Sequence, residues 1–242
     1  MFVALVAAAA ALGAWEFAAL ADRVGAAPPR WLLLPLTTWL AVRFAVPGDP
    51  PALDIALGAG LVAGLGGLVV LGTPWRAWMA AIAGSVYVGY TLGFYVALIS
   101  WRPGDHGFGV VAVAVPVAAV VLCDTAAYLA GSAFGRHSFF PRISPRKSVE
   151  GAAAGLVAAI VTAAVLGRAF LGIAPWQGAA LGFIVGIVAQ GGDLAESALK
   201  RQAGAKDSGT LIPGHGGLLD RLDSLVLVAP AAYCFYRLIS LT

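Results

Sequence analysis

The 242-residue chain is 60% hydrophobic and only 11% charged, with a mean hydropathy of +0.89. Soluble domains carry about 25% charged residues, so this sequence cannot cover a water-facing surface and a bilayer is its solvent. Fifteen Lys and Arg against twelve Asp and Glu give a formal charge of +3 and a pI near 9.1; the basic residues sit in short loops between apolar runs, which points to membrane orientation and anionic substrates, not to nucleic acid.

A spanning helix needs about 20 mostly apolar residues. The chain opens Met1-Phe2-Val3, apolar at once and with no basic region or small-residue cleavage site before the next span, so no cleaved signal peptide is expected. Eight candidate spans follow, at Phe2 to Ala21, Trp31 to Val46, Ala52 to Gly72, Ala77 to Ser100, Gly107 to Gly131, Gly151 to Ile173, Gln177 to Lys200 and Leu218 to Leu241. The second is the weakest, being short, containing Arg43 and ending at Pro47. The fold class expected is therefore all-α, a polytopic integral membrane protein of about eight transmembrane helices. One transmembrane domain over 1–242 suffices, with N-terminal helices up to 106 and a catalytic region from 107 onward.

Alternate loops should lie on one side of the membrane. The loops after the first, third, fifth and seventh spans, with their flanks, hold Arg23, Arg30, Arg76, Arg136, Arg142, Arg146, Lys147, Lys200, Arg201 and Lys206. The other set holds Arg43, Arg102, Arg168 and Arg237, and Arg221 opens the last span. By the positive-inside rule the first set is cytoplasmic and both termini face outward. Losing the second span would break that alternation.

Small residues recur four apart at Gly60 and Gly64, Gly151 and Gly155, and Gly182 and Gly186. They allow close helix approach where lipid provides no hydrophobic drive for association. Packing within the chain is the preferred reading, with a homodimer as the other. Cys123 and Cys234 both lie in apolar segments without C-x-x-C spacing and read as packing residues.

Ionisable groups inside spans cost about 2.5 to 3.5 kcal/mol each on insertion scales, so a cluster of them needs a purpose. In the seventh span Asp193, Glu196, Ser197 and Lys200 follow at i, i+3, i+4 and i+7, one face of a helix. At the start of the eighth, Asp220, Asp223 and Ser224 repeat the i, i+3, i+4 pattern beside Arg221. Asp124 and Tyr128 form a third polar stripe at the end of the fifth. Between the two acidic faces lies a glycine-rich loop, Gln202 to Gly217, with Lys206, Asp207 and His215. Glycines let backbone amides approach phosphate oxygens. The basic loop from Arg136 to Glu150 brings Arg142, Arg146 and Lys147 around Ser144 on the same side. Carboxylates without a His or Cys cluster suit Mg²⁺ or Mn²⁺ better than zinc. Glu16 and Asp54, isolated or near span ends, read as structural residues that pair with a basic side chain. His106 and His137 read as solvated loop histidines, and His215 as a catalytic or a turn residue with neither favoured.

These residues also carry a resemblance. Ser197-Ala198-Leu199-Lys200-Arg201, then Lys206-Asp207-Ser208-Gly209, then Leu211-Ile212-Pro213-Gly214-His215-Gly216-Gly217-Leu218-Leu219-Asp220-Arg221-Leu222-Asp223 resemble the signature of phosphatidate cytidylyltransferases, the CDP-diacylglycerol synthases. Asp124-Thr125-Ala126-Ala127-Tyr128 with Gly131, Gly135 and Arg136, and Ile143 to Gly151, are similar to further blocks of that family. The likeness runs from about Asp124 to Ser224; the N-terminal half matches only in being membranous. Family members often begin with a further basic-flanked segment, whereas this sequence opens inside an apolar run, so the resemblance does not set the helix count.

The resemblance implies transfer of CMP from CTP to phosphatidic acid, with pyrophosphate leaving and Mg²⁺ as cofactor, one ion or two, replaceable by Mn²⁺. It implies Asp193 and Asp220 as principal metal ligands, with Asp223 and Glu196 as further ligands or as residues behind them. Lys200, Arg201, Lys206 and Arg221 would hold the triphosphate or pyrophosphate, with Asp207 and His215 beside them in the loop. Ser144, Arg146 and Lys147, with Asp124, Tyr128 and Ser197, would recognise the substrates. Both substrates place the site near the cytoplasmic face of the cytoplasmic membrane, open to lipid. Two rivals stay open: a CTP-dependent lipid or polyprenol kinase, and a secondary transporter using the same carboxylates as ion sites. The transporter would not need the glycine-rich loop. P-loop, dinucleotide-binding and H-E-x-x-H patterns do not occur, nor does the D-x-x-D-G-x-x-A-R run of CDP-alcohol phosphotransferases.

Overall fold

The computed structural model describes residues 1–45, 51–101, 106–209, 211 and 216–239. His215 and the Ile212-Pro213-Gly214 run, Arg102, and the ends of the second and last predicted spans lie outside the described residues, as do the side chains of Asp54 and His106.

Helices dominate in chain order: α1 (Phe2–Arg23), α2 (Arg30–Val42) continued by a 3₁₀ turn (Arg43–Ala45), α3 (Pro51–Val70), α4 (Trp75–Gly84), a π-helical segment (Ser85–Tyr90) and α5 (Thr91–Ile99). Next come α6 (His106–Phe134), strands β1 (Ser138–Phe140) and β2 (Ser144–Ser148), α7 (Val149–Leu166) with a π-helical end (Gly167–Leu171), α8 (Pro175–Gln202) and α9 (Leu219–Ile239). Each of the eight predicted segments is largely helical over its described residues. Among the described residues six helices are long and apolar enough to cross a membrane: Phe2–Arg23, Trp75–Ile99, Gly107–Phe134, Val149–Leu171, Pro175–Gln202 and Leu219–Ile239. The fold is that of an all-α polytopic membrane protein. Helix α2 has 13 residues, about 20 Å at 1.5 Å per residue against a hydrocarbon core of about 30 Å. The weak second span is thus a short helix.

Two compact units make up the chain: Met1–Ala97 with Leu199–Leu222, and Leu98–Ala198 with Asp223–Thr242. In the first, Ala14, Ala18, Leu32, Leu33 and Ala81 form a buried core flanked by Leu34, Ala63 and Trp78. Small residues at these positions let α1, α2 and α4 meet closely, the contact that replaces the hydrophobic effect in lipid. The Trp78 indole fills the space that a side chain at Gly64 would need.

In the second unit α6, α7 and α8 pack through glycines. A side chain at Gly155 would meet the Cys123 carbonyl at 2.8 Å, and one at Gly178 the Ala163 carbonyl at 2.6 Å. Gly182 and Gly186 face Ala159 and Leu156 of α7. The spaced glycines are therefore used within the chain. Cys123 is buried at this seam, whereas Cys234 is on the exposed side of α9 and is not the packing residue expected from its apolar surroundings.

The basic loop is more ordered than its composition implied, because β1 and β2 pair antiparallel. His137 Nδ1 lies 2.6 Å from Glu150 Oε1, and Glu150 Oε2 accepts from the backbone N–H of Arg136 and of His137. His137, expected as a solvated loop residue, is exposed but closes the hairpin. Ser148 then caps α7, its Oγ accepting from Gly151 N at 3.1 Å.

Candidate active site

Chemistry-bearing residues gather at two places, one in each unit. In the second unit Lys147, at the end of β2, is ion-paired with Asp193 of α8. Ser197, one turn on, directs its Oγ at Asp193 Oδ1 across 3.4 Å. Asp124 of α6 lies within electrostatic reach of Asp193, Asp223 and Lys147. Asp223 Oδ1 accepts from Ser224 N at 2.6 Å and from Ser224 Oγ at 3.2 Å. Gly192 allows this gathering, because a side chain there would sit against the Asp223 carbonyl. Glu196, on the same helical face, is fully buried.

Asp124, Asp193 and Asp223 thus bring three carboxylates from spanning helices into one neighbourhood, and such groups are costly in a membrane unless paired or bound to a cation. The donors are carboxylate oxygens, which fit Mg²⁺ or Mn²⁺. Among the described residues no group of three or more His, Cys, Asp or Glu side chains is placed so that it could by itself hold a metal ion. Mg²⁺ seldom relies on such a group alone, since it keeps waters and substrate phosphates among its ligands.

In the first unit Lys200 Nζ donates to Asp220 Oδ1 at 2.6 Å, with both side chains 11% exposed. Asp220 Oδ2 accepts three more bonds, from Ser208 N at 2.9 Å, Ser208 Oγ at 3.0 Å and Gly217 N at 2.8 Å. Backbone donors thus converge on Oδ2, while of these bonds Oδ1 takes that of Lys200 alone. The loop it organises begins where α8 ends in a Schellman motif: Ala205 N bonds to Lys200 O, Gly204 N to Arg201 O, and Gly204 takes φ +62°.

Of the predicted site residues, the structure brings together Asp124, Lys147, Asp193, Ser197 and Asp223 in one unit, and Lys200 with Asp220 in the other. Arg146, Tyr128, Arg201, Lys206, Asp207 and Arg221 are exposed, and Ser144, which starts β2, is half-buried. Arg201 reaches back to the Ala205 carbonyl at 3.4 Å.

One participant was read differently from sequence. Glu16 of α1, expected to pair with a basic side chain, instead accepts from Leu218 N at 2.9 Å, Leu219 N at 2.7 Å and Ser208 Oγ at 3.0 Å.

The cytidylyltransferase family model matches residues 1–239. The chain belongs to the cytidylyltransferase family. Among curated relatives, the phosphatidate cytidylyltransferase of Brucella suis biovar 1 (strain 1330) is 42% identical over 178 residues, which are 72% of this chain and 63% of that protein. That of Mycobacterium tuberculosis (strain ATCC 25618 / H37Rv) is 36% identical over 198 residues, 74% of this chain and 60% of the relative. That of Mycobacterium leprae (strain TN) is 39% identical over 202 residues, 74% and 64% respectively. This cytidylyltransferase-family chain thus spans somewhat under two thirds of the length of the curated relatives it matches.

Proposed function

We propose that the chain transfers CMP from CTP to phosphatidic acid, giving CDP-diacylglycerol and pyrophosphate, at the cytoplasmic face of the cytoplasmic membrane. The observation that carries this reading is the Lys147–Asp193 pair, in which a lysine from a basic hairpin between two spanning helices is seated on a carboxylate inside a third. Such a half-buried pair balances both charges at rest and leaves each open on one side to a partner of the opposite sign. Support comes also from family membership and from relatives named for this reaction.

A phosphatidate phosphate oxygen attacks the α-phosphorus of CTP, the new P–O bond forms as the bond between the α-phosphorus and its bridging oxygen breaks, and pyrophosphate leaves. No side-chain nucleophile is needed, so the protein positions phosphates and neutralises their charge. Lys147, with Ser144 and Arg146 on the same strand, holds a substrate phosphate; Asp124, Tyr128 and Ser197 border it. Lys200, Arg201, Lys206 and Arg221 receive the triphosphate and the departing pyrophosphate, with Asp207 and His215 in the same loop. Asp193 and Asp223 would hold Mg²⁺ or Mn²⁺, Glu196 standing behind them, with Asp220 as a further ligand. When bound, the cation supplies charge neutralisation on the phosphates.

The test uses purified protein in detergent with phosphatidic acid, Mg²⁺ and CTP labelled at the α- or γ-phosphorus. Label from the α-position in lipid, with pyrophosphate released, is the expected result. Label from the γ-position would make the protein a lipid kinase, and no labelling with either metal would return the carboxylates to ion transport.

A further inference from the structure

Helix α9 begins without a capping side chain of its own. The residues at its entry are Gly216, Gly217 and Leu218, none of which carries an acceptor, although the opening N–H groups of a helix require one. Glu16, from α1, fills that role from about two hundred positions away in sequence. Its two oxygens take the N–H groups of Leu218 and Leu219 one each, and Oε2 also meets the Ser208 hydroxyl. The side chain is 5% exposed. The negative charge also sits at the positive end of the α9 dipole.

The surroundings are cut to fit this carboxylate. A side chain at Gly209 would stand 2.6 Å from Glu16 Oε1, and one at Gly217 would collide with Glu16 and Ser208 together. Ser208 ties Glu16 to Asp220, since its Oγ lies 3.0 Å from an oxygen of each. One hydroxyl proton serves one carboxylate at a time, so the two acids are coupled through Ser208. Asp220 in turn holds Lys200. With the hydroxyl donated to Glu16 and the Ser208 N–H to Asp220, a continuous chain of bonds runs from α1 through Ser208 to the aspartate and lysine assigned above to cation and phosphate.

We propose that Glu16 is a positioning residue for CMP transfer: its carboxylate caps α9 and anchors Ser208, holding Asp220 and Lys200 in their working geometry. This rests on the reaction proposed above. It predicts that loss of the carboxylate lowers turnover and frees the loop without dismantling the helices.

The experiment compares the full chain with Glu16→Gln and Glu16→Ala, measuring kcat and KM for CTP and phosphatidate, amide hydrogen exchange and thermal unfolding in detergent. In Glu16→Ala the amides of Leu218 and Leu219 should exchange about 10- to 100-fold faster, the range for losing a hydrogen bond to a charged group. The amides of Ser144 to Ser148 should not change. The kcat per folded molecule should fall about as far, with KM for phosphatidate unchanged, and Glu16→Gln, which keeps one acceptor oxygen, should lie between. The proposal is overturned if Glu16→Ala turns over normally, if exchange at Leu218 and Leu219 is unaltered, or if exchange rises uniformly across the chain. Exchange is read without substrate, so a wild-type protein that transfers no CMP defeats the reaction while the tether is still judged by its amides.

Discussion

Replacing Asp220 by Asn tests how the glycine-rich loop is held. The change keeps size and one acceptor oxygen, which can still take Ser208 N and Gly217 N, but sets an amide NH₂ where Lys200 now donates. Lys200 then faces a donor. Because both partners are only 11% exposed, solvent cannot take over the lost pairing, and removing one partner of a buried pair costs about 3–5 kcal/mol. At 1.4 kcal/mol per tenfold, the lower figure is about two decades in the folding equilibrium. Unfolding in mixed micelles, followed by the fluorescence of the seven tryptophans, measures it. The control is the double variant Lys200→Met with Asp220→Asn, in which both members of the pair are removed together; it should recover part of the loss, with a coupling energy of about 2 kcal/mol. If the single variant costs under about 0.5 kcal/mol, or the double variant costs the full sum of its parts, the pair does not hold the loop.

The Lys147–Asp193 pair should behave differently. Its side chains are 31% and 26% exposed, so Lys147→Met should cost under about 1 kcal/mol of stability, while lipid labelling from CTP should fall about 100-fold, as when a charge-stabilising donor is removed. Glycine packing gives a contrast by thermal unfolding: Gly182→Val drives a side chain into Ala159 and Ile160 and should cost about 1–3 kcal/mol, whereas Gly191→Ala, with open space around it, should be neutral or gain up to about 1 kcal/mol. Chelation by EDTA should abolish labelling, and Mg²⁺ or Mn²⁺ but not Zn²⁺ should restore it, because the donors are oxygens.

Much of this organisation is legible in the residue order, for physical reasons. Hydropathy locates α1 and α6 to α9 within a few residues because lipid tolerates few charges over about 20 positions. Spacing of i, i+3 and i+4 places Asp193 with Ser197 on one face because helical geometry is local. It does not tell which lysine meets which aspartate. Lys147 and Asp193 are separated by all of α7 and about two thirds of α8, and Lys200, on the same face as Asp193, reaches Asp220 twenty positions on. The hairpin at Ser138 to Ser148 was hidden because two strands of three and five residues are too short for an alternation pattern. Cys234 shows the converse limit: an apolar segment contains lipid-facing as well as packed positions, and composition does not separate them.

Glu16 marks where reading one segment at a time stops. An isolated acid in an apolar helix looks the same whether it meets a lysine or the backbone of another helix, and Arg23, Arg30 and Arg43 are all near enough in sequence to be plausible partners. The signal lay elsewhere, in a deficiency at the far end of the chain. Gly216-Gly217-Leu218 opens a helix with no Ser, Thr, Asp or Asn at its cap, and in a chain where water is scarce those N–H groups must find an acceptor within the protein. Asp220 reaches back to Gly217 N and no further. Leu218 N and Leu219 N therefore require an oxygen from outside the segment, and a carboxylate in another spanning helix can supply two at once. Balancing donors against acceptors across segments points to Glu16, whereas balancing charge against charge points to an arginine.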